Sequence, residues 1–307
     1  AAVHYRQALA LRPAYAMAHN NLGLTLGEQD KLEEAVGHYR QALAFQPDYA
    51  EAYNNLGNAL KAQGKLEEAV TQYRQALALR PVYAMAHNNL GAALSEQGKL
   101  EEAVVHYRQA LTLQPAFPEV HNNLGNALKE QGKLEEAVAQ YRQALALKPA
   151  FVDAYNNLGN ALKAQGKLEE AVMQYRQALA LKPDYAEAMN NLGSALQGQG
   201  KLEEGVAQYR QALALKPDYA DAHSNLLFGL HYLPTYDSAL LGALYREWHE
   251  KYARHLAPKN VRRENRRESE RPLRVGYVSA DFKRHPVGYF IEPVLEAHDK
   301  SKVKVYC

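Results

Sequence analysis

The chain is poor in cysteine, in charge imbalance and in long apolar runs, and each shortage excludes a class of protein. Its 307 residues include one cysteine, Cys307, so no disulfide can form within the chain. This fits a reducing compartment, and we expect a cytoplasmic location. Lys and Arg number 36 against 34 Asp and Glu, which gives no global attraction to nucleic acid. No run of about 20 apolar residues occurs, so the sequence predicts no membrane-spanning helix.

Proline recurs with a strict period of 34 residues, at Pro13, Pro47, Pro81, Pro115, Pro149, Pro183 and Pro217. A period of this length is typical of a solenoid built from helical hairpins. The six full units are 16–49, 50–83, 84–117, 118–151, 152–185 and 186–219. Because each unit of a solenoid packs mainly on its neighbours, the fold presents a long continuous surface. That surface favours a binding function.

The unit 50–83 illustrates why two helices are predicted in every repeat. Apolar residues recur at i, i+3, i+4 and i+7 through both halves, with Gly64 between them. Gly64 suits the left-handed residue that ends the first helix, and Asp48 with Glu51 predicts a capping pair at its start. Gly57 is expected where the two helices approach each other closely.

Residues 1–227 resemble the tetratricopeptide-repeat family, since Leu, Gly, Ala, Tyr, Ala and Pro stand at that family's positions within the period. The resemblance implies a mainly α protein, a right-handed solenoid. Asp30 departs from the pattern at the interhelical glycine, and Gly205 departs from it at a small alanine. Asp tolerates a left-handed turn, and Gly replaces Ala at a cost of about 1 kcal/mol, so neither departure predicts a break in the solenoid.

An Asn-Asn pair precedes Leu-Gly in every full unit. Its second member recurs as Asn21, Asn55, Asn89, Asn123, Asn157, Asn191 and Asn225, which we call the ladder asparagines. Asparagine is a mediocre helix former, so its repetition within helices calls for a reason. Because an amide both donates and accepts, an aligned row could bind the backbone of an extended acceptor peptide on the inner face. Duplication without any ligand, with amides bonded to neighbouring backbone, is the alternative.

Three other recurring positions are expected to have different roles. The first asparagine of each pair is expected at the edge of the groove (Asn20, Asn54, Asn88, Asn122, Asn156 and Asn190, with Ser224 in the last repeat). One tyrosine per unit is expected in the core (Tyr39, Tyr73, Tyr107, Tyr141, Tyr175 and Tyr209). Histidines share one position with Tyr53, Tyr155 and Met189 (His19, His87, His121 and His223), which indicates packing. The sequence predicts no metal site.

Three further segments follow the repeats. Residues 228–258 are predicted to form a junction with a capping helix from about Ser238 to Leu256. Residues 259–271 mix six cations with three glutamates and are expected to be an exposed linker, with a nuclear-import or nucleic-acid patch as the alternative. Residues 272–307 begin an α/β domain. Strands at Leu273–Ser279 and Val303–Tyr306, with a helix between them, predict its first βαβ unit.

Residues 223–307 resemble the junction and first catalytic lobe of the O-linked N-acetylglucosamine transferases, through SNLLFGLHYLP, YREWHEKYA and LRVGYVSADFKRHPVGYF. The resemblance implies a two-lobed glycosyltransferase that needs neither metal nor cofactor. Such an enzyme transfers N-acetylglucosamine, with inversion, from the donor UDP-GlcNAc to Ser or Thr of acceptor proteins. It also implies a site role for His285, either as the catalytic base or as a residue that shapes its loop.

The resemblance places most of the donor site in a second lobe, which these 307 residues do not include. We therefore expect the chain to be a piece of a longer protein and inactive alone. Ala1–Leu11 matches the second half of a unit, which supports the same expectation at the other end. The alternative function is a non-catalytic repeat scaffold for protein–protein interaction. The acceptor proteins and any homo-oligomer stay open at this point.

Overall fold

The computed structural model describes residues 1–254 and the backbone of residues 273–276 and 303–306. Within residues 1–254 it contains fifteen α-helices and, at His249–Ala253, a π-helical turn. The helices are α1 Ala2–Leu11, α2 Ala16–Gly27, α3 Leu32–Phe45, α4 Ala50–Ala62, α5 Leu66–Leu79, α6 Ala84–Glu96, α7 Leu100–Leu113, α8 Pro118–Glu130, α9 Leu134–Leu147, α10 Val152–Ala164, α11 Leu168–Leu181, α12 Ala186–Gly198, α13 Leu202–Leu215, α14 Ala220–Leu230 and α15 Ser238–Trp248. None of the described helices is both long and apolar enough to cross a bilayer.

The helices alternate as the two members of each repeat. We call the first member the A helix (α2, α4, α6, α8, α10, α12 and α14) and the second the B helix (α3, α5, α7, α9, α11 and α13). Each B helix packs between the A helix of its own unit and the A helix of the next unit, and the A helices of adjacent units contact one another directly. This stacking confirms the predicted helical-hairpin solenoid.

A left-handed residue ends each complete A helix, as the sequence predicted. Gly64 has a φ of 75°, and Asp30, the one non-glycine residue at this position, has a φ of 59°. The N–H of Gly64 donates to Lys61 O and the N–H of Lys65 donates to Leu60 O, each at 2.9 Å. These two bonds form the Schellman arrangement that satisfies the last carbonyls of a helix.

The predicted capping pair of Asp48 and Glu51 is wrong. The residue at the N-cap of α4 is Tyr49, and no side chain bonds the first N–H groups of that helix. Asp48 therefore lies one residue too early to cap. Glu51 instead accepts from Arg80 at 2.6 Å, so its carboxylate joins the start of α4 to the end of α5 within one unit.

The core of each unit is a tyrosine ring packed on a glycine. All six recurring tyrosines are at most 3% exposed, which confirms their predicted core position. A Cβ atom added at Gly57 would lie 2.6 Å from Cε1 of Tyr73, so no side chain fits between the two helices there. At Gly205 an added Cβ would lie 2.9 Å from the carbonyl oxygen of Gly193, which gives the departure from alanine a steric reason.

The last full unit, 186–219, is covered by α14 and α15. Leu230, Leu233 and Leu241 form an apolar cluster with Val206 of the last B helix, as expected of a cap. Asp237 caps α15 by accepting from the N–H of Leu240 at 2.8 Å. The helix predicted from Ser238 is an α-helix to Trp248 and continues as the π-helical turn to Ala253, and its predicted end at Leu256 lies outside the described residues.

Two strands belong to a second compact unit, residues 255–307, separate from the unit 1–254. Strands β1 Leu273–Gly276 and β2 Val303–Tyr306 pair in parallel, with Leu273 opposite Val303. This confirms the predicted parallel pairing. The linker 259–271 and the helix predicted between the strands lie outside the described residues.

The glycine–tyrosine contact predicts opposite effects for two Gly→Ala substitutions. Gly57→Ala should destabilise the protein by about 1–3 kcal/mol, because its methyl group overlaps the Tyr73 ring. Gly37→Ala, on the exposed side of α3 with no atom within 4 Å of the added Cβ, should stabilise it by up to about 1 kcal/mol. Urea unfolding followed by circular dichroism measures both. Equal shifts of the two midpoints would contradict the packing argument.

Candidate functional site

The ladder asparagines form a continuous series of hydrogen bonds along the A helices. From the second unit on, the Nδ2 of each donates to the Oδ1 of the first asparagine of the preceding unit. The six donor–acceptor pairs, at 2.9–3.1 Å, are Asn55–Asn20, Asn89–Asn54, Asn123–Asn88, Asn157–Asn122, Asn191–Asn156 and Asn225–Asn190. Each ladder side chain is half-buried, so it is held in one orientation while still reaching the surface.

The first asparagine of each pair lies inside the stack, so its predicted place at the groove edge is wrong. Asn54, for example, is 1% exposed. It points toward the neighbouring A helix, where its oxygen accepts the bond from the next unit. The amides therefore bond to each other across units rather than to neighbouring backbone. Ser224, at this position in the last repeat, donates to the carbonyl of its own helix at Ala220.

The ladder amides keep bonding capacity for a ligand. From the second unit on, each uses one N–H for the preceding unit. Each of these except Asn89, whose Nδ2 also donates to Oδ1 of Asn58 at 3.1 Å, retains a second N–H, and each has a carbonyl oxygen outside that bond. At Asn21 and Asn89 that oxygen accepts a longer bond, 3.3 Å, from the adjacent asparagine. At Asn55, Asn123, Asn157, Asn191 and Asn225 the oxygen has no bonding partner among the described residues. Such an amide can pair with both groups of a peptide unit.

Open recesses recur along the same face. Three of them, of about 340, 390 and 460 Å³, are bordered by Asn55, Asn123 and Asn225 respectively. Each also contains the core tyrosine of the preceding unit (Tyr39, Tyr107 and Tyr209). Burial raises the pKa of Tyr107 to about 12, so its hydroxyl stays protonated at neutral pH. The recess floor is thus an uncharged aromatic surface.

A second asparagine position on this face was missed from the sequence. Asn58, Asn126 and Asn160 follow a ladder asparagine by three residues and so share its helix face. They accept from the hydroxyls of Tyr73, Tyr141 and Tyr175 at 2.8, 2.7 and 2.8 Å. Burial raises the pKa of these tyrosines, which keeps the hydroxyls as donors. The i+3 spacing from the ladder was the available signal.

The histidines of the A helices pack as predicted, but their partners were not foreseen. The Nδ1 atom of His87 lies 3.0 Å from Nδ1 of His106 in the B helix, and its Nε2 lies 3.1 Å from the carbonyl oxygen of Pro81. His19 makes the same contacts with His38 and Pro13. Among the described residues no group of three or more metal-binding side chains occurs. His285 and its loop lie outside the described residues.

Comparison with known families matches both parts of the chain. A family model described as TPR repeat matches residues 28–64, 57–98, 91–132, 125–166, 159–200 and 198–226. A second, described as glycosyl transferase family 41, matches residues 251–307. In fold, the chain is similar to the APC/C hetero-tetramer Cut9–Hcn1, with a TM-score of 0.67 and 17% identity over 74% of this chain and 45% of that one.

Curated relatives carry transferase names. The probable UDP-N-acetylglucosamine–peptide N-acetylglucosaminyltransferase SPINDLY of Arabidopsis thaliana is 37% identical over 79 residues, 26% of this chain and 8% of its own length. The UDP-N-acetylglucosamine–peptide N-acetylglucosaminyltransferase of Caenorhabditis elegans is 46% identical over 35 residues, 11% of this chain and 3% of its own length. The matched part of the chain therefore spans less than a tenth of these relatives.

The paired histidines predict a loss of stability in acid. Burial lowers the pKa of His87 and His106 below 6.5, so this contribution to stability is present above pH 6.5 and is lost as the pH falls below it. The urea midpoint should fall between about pH 7.5 and about pH 5.5. His87→Tyr with His106→Gln, which copies the pair Tyr155 and Gln174 of a later unit, should reduce that fall. Identical falls in both proteins would refute the assignment.

Proposed function

The chain belongs to the tetratricopeptide-repeat family, and from that premise we propose that its A-helix face binds the backbone of extended polypeptides through the ladder asparagines. The observation that carries the proposal is the series of amide bonds between units. Each bond fixes a ladder side chain before any ligand arrives, so little rotamer entropy is lost on binding. The remaining carbonyl oxygen and N–H match the donor and acceptor of a peptide unit.

Recognition of backbone follows from the regularity of the series. The same residue stands at the same place in seven successive repeats, whereas the residue three positions later varies among Leu24, Asn58, Ala92 and Ser194. An amide that recurs in every unit can form hydrogen bonds with the part of a peptide that also recurs, which is its backbone. The variable positions then adjust which side chains each recess admits. Acceptors that differ in sequence can share one surface of this kind.

We further propose that the complete protein transfers N-acetylglucosamine from UDP-GlcNAc to Ser or Thr hydroxyls of the bound polypeptide. The match of residues 251–307 to glycosyl transferase family 41 and the names of the curated relatives support this step. His285 is the proposed site residue of this chain. An imidazole with a pKa near 6.5 can accept a hydroxyl proton at neutral pH. UDP-GlcNAc serves as donor substrate, without a further cofactor.

A repeat scaffold without transferase activity is the second candidate. The near identity of the six units favours it, since a uniform binding surface suffices for assembly. Incubation of the complete protein with radiolabelled UDP-GlcNAc and a protein acceptor separates the two functions. Donor-dependent labelling excludes the scaffold, whereas its absence leaves only the binding role.

The proposed role of the ladder predicts different peptide affinities for two triple variants that break the same three hydrogen bonds between units. Asn89→Ala, Asn123→Ala and Asn157→Ala together remove three ladder amides and should lower peptide affinity at least about tenfold. The matched control replaces their acceptors, Asn54, Asn88 and Asn122, by Ala. It breaks the same three bonds between units but keeps the ladder amides.

Fluorescence polarisation with a labelled peptide of neutral residues measures both affinities. The control variant should lose clearly less affinity than the ladder variant, because it frees three ladder amides to rotate but keeps their bonding groups. Equal losses in the two variants would mean that the ladder supports only the stacking of units, and the binding role would be withdrawn.

The proposed role of His285 predicts a selective loss of turnover in the complete protein. His285→Ala should lower kcat by about 10²–10⁴-fold if the imidazole acts as general base. The affinity for peptide should not change, because His285 is not one of the ladder asparagines. Wild-type kcat in this variant would be incompatible with the role.

A further inference from the structure

One ion pair on the ladder face joins neighbouring A helices. The Nζ of Lys61, in the last turn of α4, lies 2.7 Å from Oε1 of Glu96, at the end of α6. The two residues are 35 positions apart, the same separation as the ladder bonds. The lysine side chain is 29% exposed, so its charge is partly removed from water and is balanced by a carboxylate.

Two other lysines occupy the position of Lys61 without such a carboxylate. Lys129 and Lys163 stand at the same place in α8 and α10, but the residues 35 positions further on are Ala164 and Gly198. Among the described residues neither lysine forms an ion pair. Lys163 reaches only the hydroxyl of Ser194, at 3.3 Å. Repeat geometry thus prepares two sites for a carboxylate that the chain does not supply.

The charge around the recess position differs from unit to unit along the ladder face, because the residues at these repeat positions differ. The recess beside Tyr107 contains one lysine and two carboxylates, Lys61, Glu96 and Glu130. Two units further on, at positions 68 residues later, the corresponding residues are Lys129, Lys163, Ala164 and Gly198. One cation and two anions are therefore replaced by two cations and no anion. We call this later set, together with Asn160, the cationic recess.

Burial makes the missing carboxylate costly. Desolvation lowers the pKa of Lys163, which means that its surroundings disfavour the ammonium charge. A partly buried charge is stabilised by a partner of opposite sign. The ladder residue at this place is Asn191, the counterpart of Asn123 in the earlier recess, and its Nδ2 donates to Asn156 at 2.9 Å. A peptide bound to this amide would bring its neighbouring side chains to the lysines.

We propose that the cationic recess binds the carboxylate of an Asp or Glu residue in a polypeptide held on the ladder. The proposal rests on the proposed backbone-binding function and adds a preference at one place along it. The ligand carboxylate forms an ion pair with these lysines, as Glu96 does with Lys61. The preference is local, because the earlier recess carries its own two carboxylates and repels an acidic side chain.

Two labelled peptides test the proposal on the whole chain. Both consist of Ser, Ala and Thr, span about 50 Å when extended, and differ only in a central Asp or Asn. In fluorescence polarisation at low salt, the Asp peptide should bind about fivefold more tightly than the Asn peptide. Lys129→Gln with Lys163→Gln should remove that difference and leave the affinity for the Asn peptide unchanged.

The matched control is Lys133→Gln with Lys167→Gln. It makes the same change of charge in the same two units, but at exposed positions in the turns between helices. The control should keep the fivefold preference. Equal binding of the two peptides to the wild type, or a preference lost equally in both variants, would overturn the cationic recess while leaving backbone binding intact. Failure of the wild type to bind either peptide would overturn both.

Discussion

The contact between a glycine of each A helix and the tyrosine ring of its B helix is the constraint on which the rest of the structure depends. A Cβ atom at any of these glycines would lie 2.5–2.8 Å from the ring, so the spacing of the two helices is set by the ring itself. That spacing brings the tyrosine hydroxyl through the helix pair to the ladder face, where it borders the recesses or bonds to an asparagine. It also allows the A helices of successive units to lie in contact, which the amide series requires.

The ladder combines an observed structural role with the proposed binding role in the same side chains. One N–H of each ladder amide stabilises the stacking of units, and the rest of the amide faces outward. The bond has a direction, since each unit donates to the one before it. The last bond of the described series runs from Asn225 to Asn190, and Ser224 donates within its own helix to the carbonyl of Ala220. In the proposed function, orientation of the amide by a neighbour favours backbone binding. The same bond makes the buried first asparagine an acceptor that would be costly to leave unpaired.

The nearly identical units differ at a few positions, and these differences distinguish one part of the solenoid from another. The amides and tyrosines repeat without change, and we propose that they contact the backbone that every bound peptide shares. The last turn of the A helix varies instead, between a lysine with its carboxylate at Lys61 and lysines without one at Lys129 and Lys163. The histidine pairs likewise occur in two units only, whereas the other full units have Tyr, Met or His opposite Gln. The proposed selectivity and the predicted pH response therefore both depend on the few positions at which the units differ.

The sequence alone determined the period, the helix pairs, the left-handed Gly64 and Asp30, the tyrosine core and the parallel strands β1 and β2. These features depend on local conformational preference and on regular apolar spacing, which a single chain displays directly. Only the tertiary structure decided which asparagine of each pair is buried, that His87 meets His106, that Glu51 binds Arg80 instead of capping α4, and that Lys61 reaches Glu96. Each of these depends on how one helix is rotated against another helix, either within a unit or in the next unit. Spacing along the chain predicts which residues share a helix face, but the neighbour that a face meets is set by the packing of whole units.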